Sequence, residues 1–202
     1  MTDKKLAEFQ DTDFLTIEEK KPKFTWPYEH TSTKGLWPYL KRTPGDLVGI
    51  EIGTSCAEST YLLLEKCPNI KKLYTIDAYS PFEDWNGTVT KEVLDRQMDV
   101  AKRNLEQFGD RVERLIMNSM DASKKFEPES VDFIFVDGDH TYDGVKKDCQ
   151  TYYPFLKKGG FFCGHDYGFL PDVKKGVDDF RAESKITAPL NLSLNSAFFW
   201  YK

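Results

Sequence analysis

Acidic and histidine side chains follow two short apolar runs of this chain, in each case where the run ends. Val131–Val136 leads into Asp137-Gly-Asp-His140, and Phe161–Cys163 leads, after one glycine, into His165-Asp166. Carboxylates bind divalent cations, and an imidazole titrates near neutral pH, where it serves as a general base. The residue types therefore indicate a site for metal binding or for acid–base chemistry.

The elements that must position these groups form a strand–helix–strand unit. Both apolar runs are short and rich in β-branched and aromatic residues, which predicts strands. Apolar residues three and four positions apart predict an amphipathic helix between the two strands. Thr141 is the candidate N-cap of this helix, and Pro154 and Gly159-Gly160 end it. The apolar positions are Tyr142, Val145, Cys149 and Tyr152. Strands joined in this way are parallel, so both polar clusters should meet at the carboxyl edge of one sheet.

The first half of the chain carries a pattern typical of nucleoside binding. A buried strand, Leu47–Ile52, leads into a turn with Gly53, a helix over Glu58–Lys66 and a second strand, Lys72–Ile76, that ends in Asp77. Such a turn brings backbone N–H groups to a ligand, and the acid accepts hydrogen bonds from ribose hydroxyls. A dinucleotide site would normally have a second and a third glycine, so the single glycine disfavours NAD.

The remaining elements complete an α/β pattern. Residues 78–89 should form a loop at the same edge, where Tyr79 and Trp85 either line a pocket or pack on the surface. Further along the chain, after the next predicted strand, Asp121 either contacts an adenine amino group or caps a turn. The further predicted elements are a helix closed by Gly109 and marked by Leu94, Met98, Ala101, Leu105 and Phe108, a strand Val112–Met117, a helix with Val173, Val177 and Phe180 on one face, and an antiparallel pair of short strands, Ile186-Thr187 and Ser196–Tyr201.

The composition is that of one ordinary globular domain. The 202 residues are 40% hydrophobic and 30% charged, and a net charge of −5 argues against nucleic acid as the main partner. The four cysteines lack metal-type spacing, and the charged N-terminus contains no secretory signal. No apolar stretch approaches the roughly 20 residues of a membrane span, so a cytoplasmic protein without membrane contact is expected.

Residues 1–45 differ from the rest of the chain because charge, proline and aromatic residues occur there without periodicity. We interpret them as an N-terminal arm, which either packs irregularly on the domain or forms a lid over its site. The domain itself is predicted over residues 46–202.

Five segments, in their order along the chain, resemble class I S-adenosylmethionine-dependent methyltransferases, most closely a small bacterial branch with an Asp-Gly-Asp-His motif. The segments are Glu51-Ile-Gly-Thr-Ser55, Asp77, Val131-Asp-Phe-Ile-Phe-Val-Asp-Gly-Asp-His140, Leu156-Lys-Lys-Gly-Gly160 and His165-Asp-Tyr167. The resemblance covers about residues 45–202. It implies a Rossmann-like, seven-stranded, mostly parallel sheet with helices on both faces and an antiparallel last strand.

The resemblance also implies a cofactor, S-adenosylmethionine, and the residues beside it. Glu51, Gly53 and Ser55 would border its methionine part, Asp77 would hold the ribose, and Ser119 and Met120 would lie near the adenine. The full set of predicted cofactor residues is Glu51, Gly53, Thr54, Ser55, Asp77, Ser119, Met120 and Asp137.

Similar metal-dependent O-methyltransferases place an acid after the fourth strand and an acid pair or acid–amide pair after the fifth. The matching positions are Asp137, His165 and Asp166, so these are the candidate metal ligands, with Mg²⁺ or Mn²⁺ as the candidate ion. The sequence departs from the pattern at His165, because an imidazole shifts preference from Mg²⁺ toward Mn²⁺, Fe²⁺ or Zn²⁺. His165 is alternatively a hydrogen-bonding residue behind the ligands.

His140 matches the position at which the macrolide-sugar methyltransferases have a general base. The resemblance therefore implies that Asp137 and His140 form the catalytic pair. A structural role, as a helix cap or in orienting Asp137, and metal ligation are the alternatives for His140. The predicted function is O-methylation of a small hydroxylated molecule such as a sugar or a phenol. The alternatives are a glycosyltransferase in which Asp137-Gly-Asp139 binds Mn²⁺ and a sugar nucleotide, and a methyltransferase-fold protein without turnover. A homodimer is compatible with each of these three interpretations.

Overall fold

A seven-stranded sheet forms the centre of the protein in a computed structural model that describes residues 33–84 and 87–202. In spatial order, its strands are β5, β2, β1, β6, β7, β9 and β8. The strands are β1 (Leu47–Ile52), β2 (Ile70–Ile76), β5 (Val112–Leu115), β6 (Val131–Val136), β7 (Leu156–Gly164), β8 (Asn191–Leu192) and β9 (Phe198–Tyr201), and a separate hairpin consists of β3 (Phe82–Asp84) and β4 (Gly87–Val89).

The pairing of the strands confirms the predicted fold class. β1 runs parallel to both β2 and β6, and the outer pairs β2–β5 and β6–β7 are also parallel. At the other edge of this sheet, β9 runs antiparallel to both of its neighbours, β7 and β8. The parallel strands therefore all end at one edge of the sheet, as a chain of strand–helix–strand units requires.

Helices cover the sheet on both faces. They are α1 (Trp37–Arg42), α2 (Glu58–Lys66), α3 (Lys91–Leu105), α4 (Ser119–Ser123), α5 (Tyr142–Tyr152) and α6 (Pro171–Glu183). The predicted bounds of α2 are confirmed, and Thr141 caps α5 by accepting a hydrogen bond from the backbone N–H of Gly144 at 3.1 Å. Gly109 has a positive φ of 52° in the turn that follows α3, where the sequence placed the end of that helix.

Several predictions differ from the structure. The strand predicted over Phe161–Cys163 spans Leu156–Gly164, the strand predicted over Lys72–Ile76 begins at Ile70, and the strand predicted over Ser196–Tyr201 begins at Phe198. Ile186-Thr187 is not a strand, because the Ile186 N–H bonds to the Arg181 carbonyl at 2.9 Å and closes the end of α6; the outer strand is β8. The third strand ends at Leu115 rather than Met117, since the Met117 N–H turns back to the Leu115 carbonyl. Residues 78–89, predicted as a loop, contain the hairpin β3–β4.

The core has one layer on each face of the sheet. Alternate residues of β6 point to opposite sides, so that Phe133 packs with one layer and Ile134 with the other. In the layer that contains Phe133, called here the first core layer, the Phe133 ring lies over Gly49 of β1. A Cβ added to Gly49 would be 2.1 Å from that ring. The four cysteines are buried and free of disulfides.

The described part of the predicted arm packs on the domain. Leu36 and Leu40 are buried in the first core layer, and the Asn69 side-chain amide bonds to the carbonyls of Leu40 and Thr43 at 2.9 and 3.0 Å. Residues 1–32 and Trp85 lie outside the described residues. Within the described ranges, no helix combines the length and the apolar character that a bilayer crossing requires.

Replacing Phe133 with alanine should lower the free energy of unfolding by about 3–5 kcal/mol, because the change leaves a cavity at the centre of the sheet. The control is Leu192→Ala at a side chain that is 63% exposed, which should change stability by less than about 0.5 kcal/mol. Urea unfolding followed by circular dichroism measures both. Similar losses in the two variants would contradict the assignment of the core.

Candidate active site

A cavity of about 910 Å³ opens at the carboxyl edge of the sheet. Its walls come from the turns after β1, β2, β5 and β6, from the hairpin β3–β4, from α3 and α5, and from the start of α6. Residues predicted from the sequence that line it are Gly53, Ser55, Asp77, Ser119, Asp137 and His140. The volume lies within the usual range for sites that hold small molecules and cofactors.

The turn after β1 depends on a glycine. Gly53 has a φ of +92°, and a Cβ placed there would lie 2.0 Å from the carbonyl oxygen of Asp137. Only glycine fits this close approach of two chain segments. The turn thus lies directly against the end of β6, which carries the acidic cluster.

Asp77 organises the same turn from the neighbouring strand. Its Oδ2 atom accepts the backbone N–H groups of Thr54 and Ser55 at 3.1 and 2.9 Å, and its Oδ1 atom accepts that of Tyr79 at 2.9 Å. A carboxylate has about four acceptor positions, so one near Oδ1 is left for a ligand hydroxyl. The geometry suits the ribose contact predicted for Asp77.

Glu51 and Thr54 lie beneath the turn rather than in the cavity wall. Glu51 is fully buried, accepts a hydrogen bond from the Thr60 hydroxyl, and its pKa is raised to about 8 because burial disfavours the ionised carboxyl. Thr54 is also buried, with its hydroxyl bonded to that of Thr75. Both residues therefore support the turn from behind.

The four predicted acid and histidine side chains of the second half converge. The His140 Nε2 atom lies 3.1 Å from Oδ2 of Asp166 and 3.7 Å from Oδ1 of Asp137. The His165 Nδ1 atom lies 3.0 Å from Oδ1 of Asp166 and 3.8 Å from Oδ1 of Asp137. The two carboxylates are thus shared by two imidazoles, at the meeting point of the ends of β6 and β7.

The backbone aims these side chains. The Asp137 N–H bonds to the Ile52 carbonyl at 2.8 Å and the His165 N–H to that of Val136 at 3.2 Å, which extends the sheet past its regular strands. Asp166 has a φ of 61°, a left-handed conformation that aspartate adopts more readily than most residues. This turn in the chain points its carboxylate back toward Asp137.

Electrostatics couples the members of the cluster. Hydrogen bonds to Asp137 and Asp166 raise the pKa of His140 to about 10. Burial raises the pKa of Asp166, but hydrogen bonds from His140 and His165 outweigh it and hold that pKa well below its usual range. These contacts favour the protonated form of the His140 imidazole in this arrangement, so a cation bound at Nε2 would have to displace that proton.

The donor set fits a divalent cation. One ligand atom each from Asp137, His140 and Asp166 lie within 4.8 Å of one another. Two carboxylates with an imidazole suit Mn²⁺, Fe²⁺ or Zn²⁺ better than Mg²⁺, which prefers oxygen ligands alone. The sequence predicted His165 as a ligand together with Asp137 and Asp166. In the structure, His165 contacts Asp166 in the same cluster, and His140 supplies the third donor atom of the group.

The side of the cavity after β5 contains one predicted cofactor residue and one that sequence reasoning missed. Ser119 lines the cavity, whereas Met120 packs against the core and accepts a hydrogen bond from the Thr151 hydroxyl at its sulfur. Asp148 of α5, which we had not predicted, also lines the cavity and accepts a hydrogen bond from Ser119 at 2.6 Å. Its signal in the sequence is a charged residue on the apolar face of α5. Asp121 is exposed and paired with Lys124 and Asn118.

The Asp137-Gly-Asp139 pattern does not form a paired metal site in this geometry. The Asp139 Oδ1 atom accepts the Thr141 N–H at 2.8 Å and packs against Gly144, in a turn that precedes α5. This arrangement gives Asp139 a structural role and removes the main support for the glycosyltransferase alternative.

A nucleoside-type turn and an acid–histidine cluster on one edge of this strand order define a class I methyltransferase fold. The chain belongs to the methyltransferase-domain family, whose model matches residues 50–167.

Several known proteins are similar to this chain. The O-methyltransferase from Bacillus cereus, solved in complex with SAH, has a TM-score of 0.63 and 18% identity over 100% of this chain and 92% of that one. The O-methyltransferase NovP has a TM-score of 0.56 and 20% identity over 82% and 78% of the two chains. Spermidine synthase from Thermotoga maritima has a TM-score of 0.55 and 19% identity over 86% and 62%. At this level of identity the likeness shows the fold.

A similar curated sequence is the uncharacterized protein R132 of Acanthamoeba polyphaga mimivirus, with 29% identity over 151 residues. The match takes in 68% of this chain and spans 62% of the length of that protein.

Replacing Glu51 with glutamine should make stability less dependent on pH. The wild-type carboxyl ionises near 4.5 when unfolded and near 8 when folded, so the folded state loses stability as pH rises between these values. Glutamine stays neutral, so its advantage over wild type should grow by roughly 1–4 kcal/mol between pH 5 and pH 8. Urea unfolding at both pH values measures this difference. The matched control, Glu106→Gln at an exposed glutamate, should show no such growth; a pH-independent difference for Glu51→Gln would refute the burial of an ionisable acid there.

Proposed function

We propose that this protein is an S-adenosylmethionine-dependent O-methyltransferase of a small hydroxylated molecule, such as a phenol or a sugar, assisted by a divalent cation. The observation that carries the proposal is the juxtaposition of two sites in one cavity, a nucleoside turn with Gly53 and Asp77 and a cluster of carboxylate and imidazole groups with Asp137 and His140. Family membership supports methyl transfer, and the cluster supports a hydroxyl acceptor.

The cofactor would bind along the carboxyl edge of the sheet. Gly53 lets the backbone approach the ligand closely, Ser55 borders it, and Asp77 accepts a hydrogen bond from a ribose hydroxyl. S-adenosylmethionine supplies a methyl group attached to a positively charged sulfur. The chain aligns that methyl group with an acceptor oxygen, and alignment of this kind is worth about 7–11 kcal/mol of the barrier.

The acceptor would be held at the cluster. Asp137, Asp166 and the Nε2 atom of His140 would hold the cation, and His165 would orient the Asp166 carboxylate. A divalent cation at this place lowers the pKa of an acceptor hydroxyl and fixes its direction. The general-base role of His140 stays a prediction, and ligation through Nε2 is favoured because that atom already faces both carboxylates.

Calorimetric titration with S-adenosylhomocysteine tests the cofactor assignment. Wild type should bind it, and Asp77→Ala should weaken binding by at least about tenfold, because a hydrogen bond to a charged group is lost. Asp143→Ala, at an exposed acid in the first turn of α5, is the control and should bind as wild type does. Absence of binding to wild type would reject the proposed function.

Manganese binding tests the cluster. Asp137→Ala should reduce Mn²⁺ affinity at least about tenfold and abolish methyl transfer to a panel of catechols and sugars, while S-adenosylhomocysteine affinity changes by less than about threefold. Mn²⁺ titration monitored by electron paramagnetic resonance, with labelled methyl transfer, gives these quantities.

The same titration separates the roles of His140. A ligand role predicts that His140→Ala loses Mn²⁺ affinity as Asp137→Ala does, whereas a general-base role predicts unchanged Mn²⁺ affinity and lost turnover. Retained turnover in Asp137→Ala would show that the cluster is not the reaction site. Cofactor binding without methyl transfer to any acceptor would instead support the non-catalytic alternative.

A further inference from the structure

The wall of the cavity carries charge of one sign. Five aspartates belong to it, whereas no lysine or arginine of the described ranges does. The aspartates are Asp77, Asp137, Asp139, Asp148 and Asp172. Among the described residues of the wall, His140 is the one group that can become a cation, and it already faces two carboxylates of the cluster. A cleft lined by one sign of charge concentrates ligands of the opposite sign.

The buried acids at the cavity respond to this field. Burial is the main cause of the raised pKa of Glu51, and the charges of Asp137 and Asp77 raise it further. Burial likewise raises the pKa of Asp148, and the charge of Asp139 adds to the effect. Negative charges therefore reinforce one another across the cavity, which makes a further anion unfavourable there.

Asp172 differs from the other acids of the wall because nothing compensates its charge. The other four accept hydrogen bonds from backbone N–H groups or a hydroxyl, or face an imidazole. Asp172 lies in the first turn of α6, is exposed, and forms no hydrogen bond or salt bridge with any residue that the structure describes. The lysines that follow it on α6, Lys174 and Lys175, pair with Asp178 and Asp179 instead.

Asp172 also lies on the side of the cavity next to the cluster. The Leu170 N–H donates to the Asp166 carbonyl at 2.9 Å, which folds the chain back directly after the cluster. Leu170 and Pro171 line the cavity together with Asp172, whose backbone lies at most about 7 Å beyond that of Leu170. A small acceptor with its oxygen at the cluster would therefore extend along a short apolar stretch that ends in a carboxylate.

We propose that the cavity selects hydroxylated acceptors that carry an ammonium group, such as an amino sugar or an aromatic amine, and that Asp172 selects for this charge. The inference rests on the proposed function, because it takes the cluster as the place that holds the acceptor oxygen. Asp137 and Asp166 would balance a divalent cation, which leaves Asp172 to be paired by the acceptor. An ammonium group gains a charge-assisted hydrogen bond there, whereas a carboxylate meets repulsion.

Two pairs of acceptors with opposite charge test this proposal. The pairs are glucosamine with glucuronate, and dopamine with dihydroxyphenylacetate, whose charged groups are separated from the aromatic ring. Labelled methyl transfer from S-adenosylmethionine is measured with wild type and Mn²⁺ at low ionic strength, where charge effects are least screened. In a pair that wild type methylates, kcat/KM should be at least about tenfold higher for the amine than for the acid.

Asp172→Asn keeps the size of the side chain and removes its charge. This variant should lower kcat/KM for the amine and raise it for the acid, so that their ratio falls by at least about threefold. A gain in activity toward the acid cannot arise from misfolding. The matched control is Asp143→Asn, at an exposed aspartate in the first turn of α5 that lies outside the cavity wall. It removes the same interaction with a helix N-terminus and should keep the wild-type ratio.

The outcomes separate selectivity from a structural role. If Asp172 only stabilises the start of α6, Asp172→Asn will lower stability and leave the ratio unchanged, which would overturn the proposal. Equal turnover of amine and acid by wild type, or a preference for the acid, would overturn it without any variant. Absence of methyl transfer to all of these compounds and to their uncharged relatives, glucose and catechol, would reject the proposed function and this inference with it, which is a distinguishable result.

Discussion

The contact between Gly53 and the carbonyl oxygen of Asp137 is the constraint on which the site depends. Parallel strands bring the ends of β1 and β6 side by side, but a side chain at position 53 would separate the two turns. With glycine there, the turn that carries Gly53 and the end of β6 that carries Asp137 and His140 share one cavity. A transfer reaction needs two ligands within bonding distance, and this contact creates a place where they meet.

The acids around this contact behave differently because their surroundings differ. Asp166 is partly buried but hydrogen-bonded to two imidazoles, so its ionised form is favoured. Glu51 and Asp148 are more deeply buried and receive neutral hydroxyl donors, so burial dominates and raises the pKa of each. One edge of the sheet thus combines two acids that share imidazole partners with single acids that have hydroxyl partners.

Much of the fold could be predicted because its signals are local. β6 was found from a compact apolar run, and α5 from its cap and its three- and four-residue spacing. The convergence of Asp137, His140, His165 and Asp166 followed from topology, since parallel strands must end at one edge.

The errors of prediction came from interactions between distant residues or from competing local structures. Ile186 has a strand-forming side chain, yet it closes α6 through a hydrogen bond to Arg181. Met120 stays a predicted cofactor neighbour, although its side chain packs against the core while that of Ser119 lines the cavity. Asp148 was missed because its partner Ser119 lies 29 positions earlier in the chain, a contact that periodicity cannot reveal.

The fold does not by itself determine the reaction. Structures of an O-methyltransferase and of a spermidine synthase resemble this chain with closely similar TM-scores, so the fold is common to proteins with different reactions. What distinguishes such proteins is the chemistry opposite the turn. In the proposed function, the carboxylates of Asp137 and Asp166 with an imidazole would hold a cation and, through it, an oxygen nucleophile, whereas an amine acceptor would need only an acid to hold its charge. The imidazoles are therefore the part of the site that argues for a hydroxyl acceptor, and their positions beside Asp137 and Asp166 link the sequence most directly to the proposed reaction.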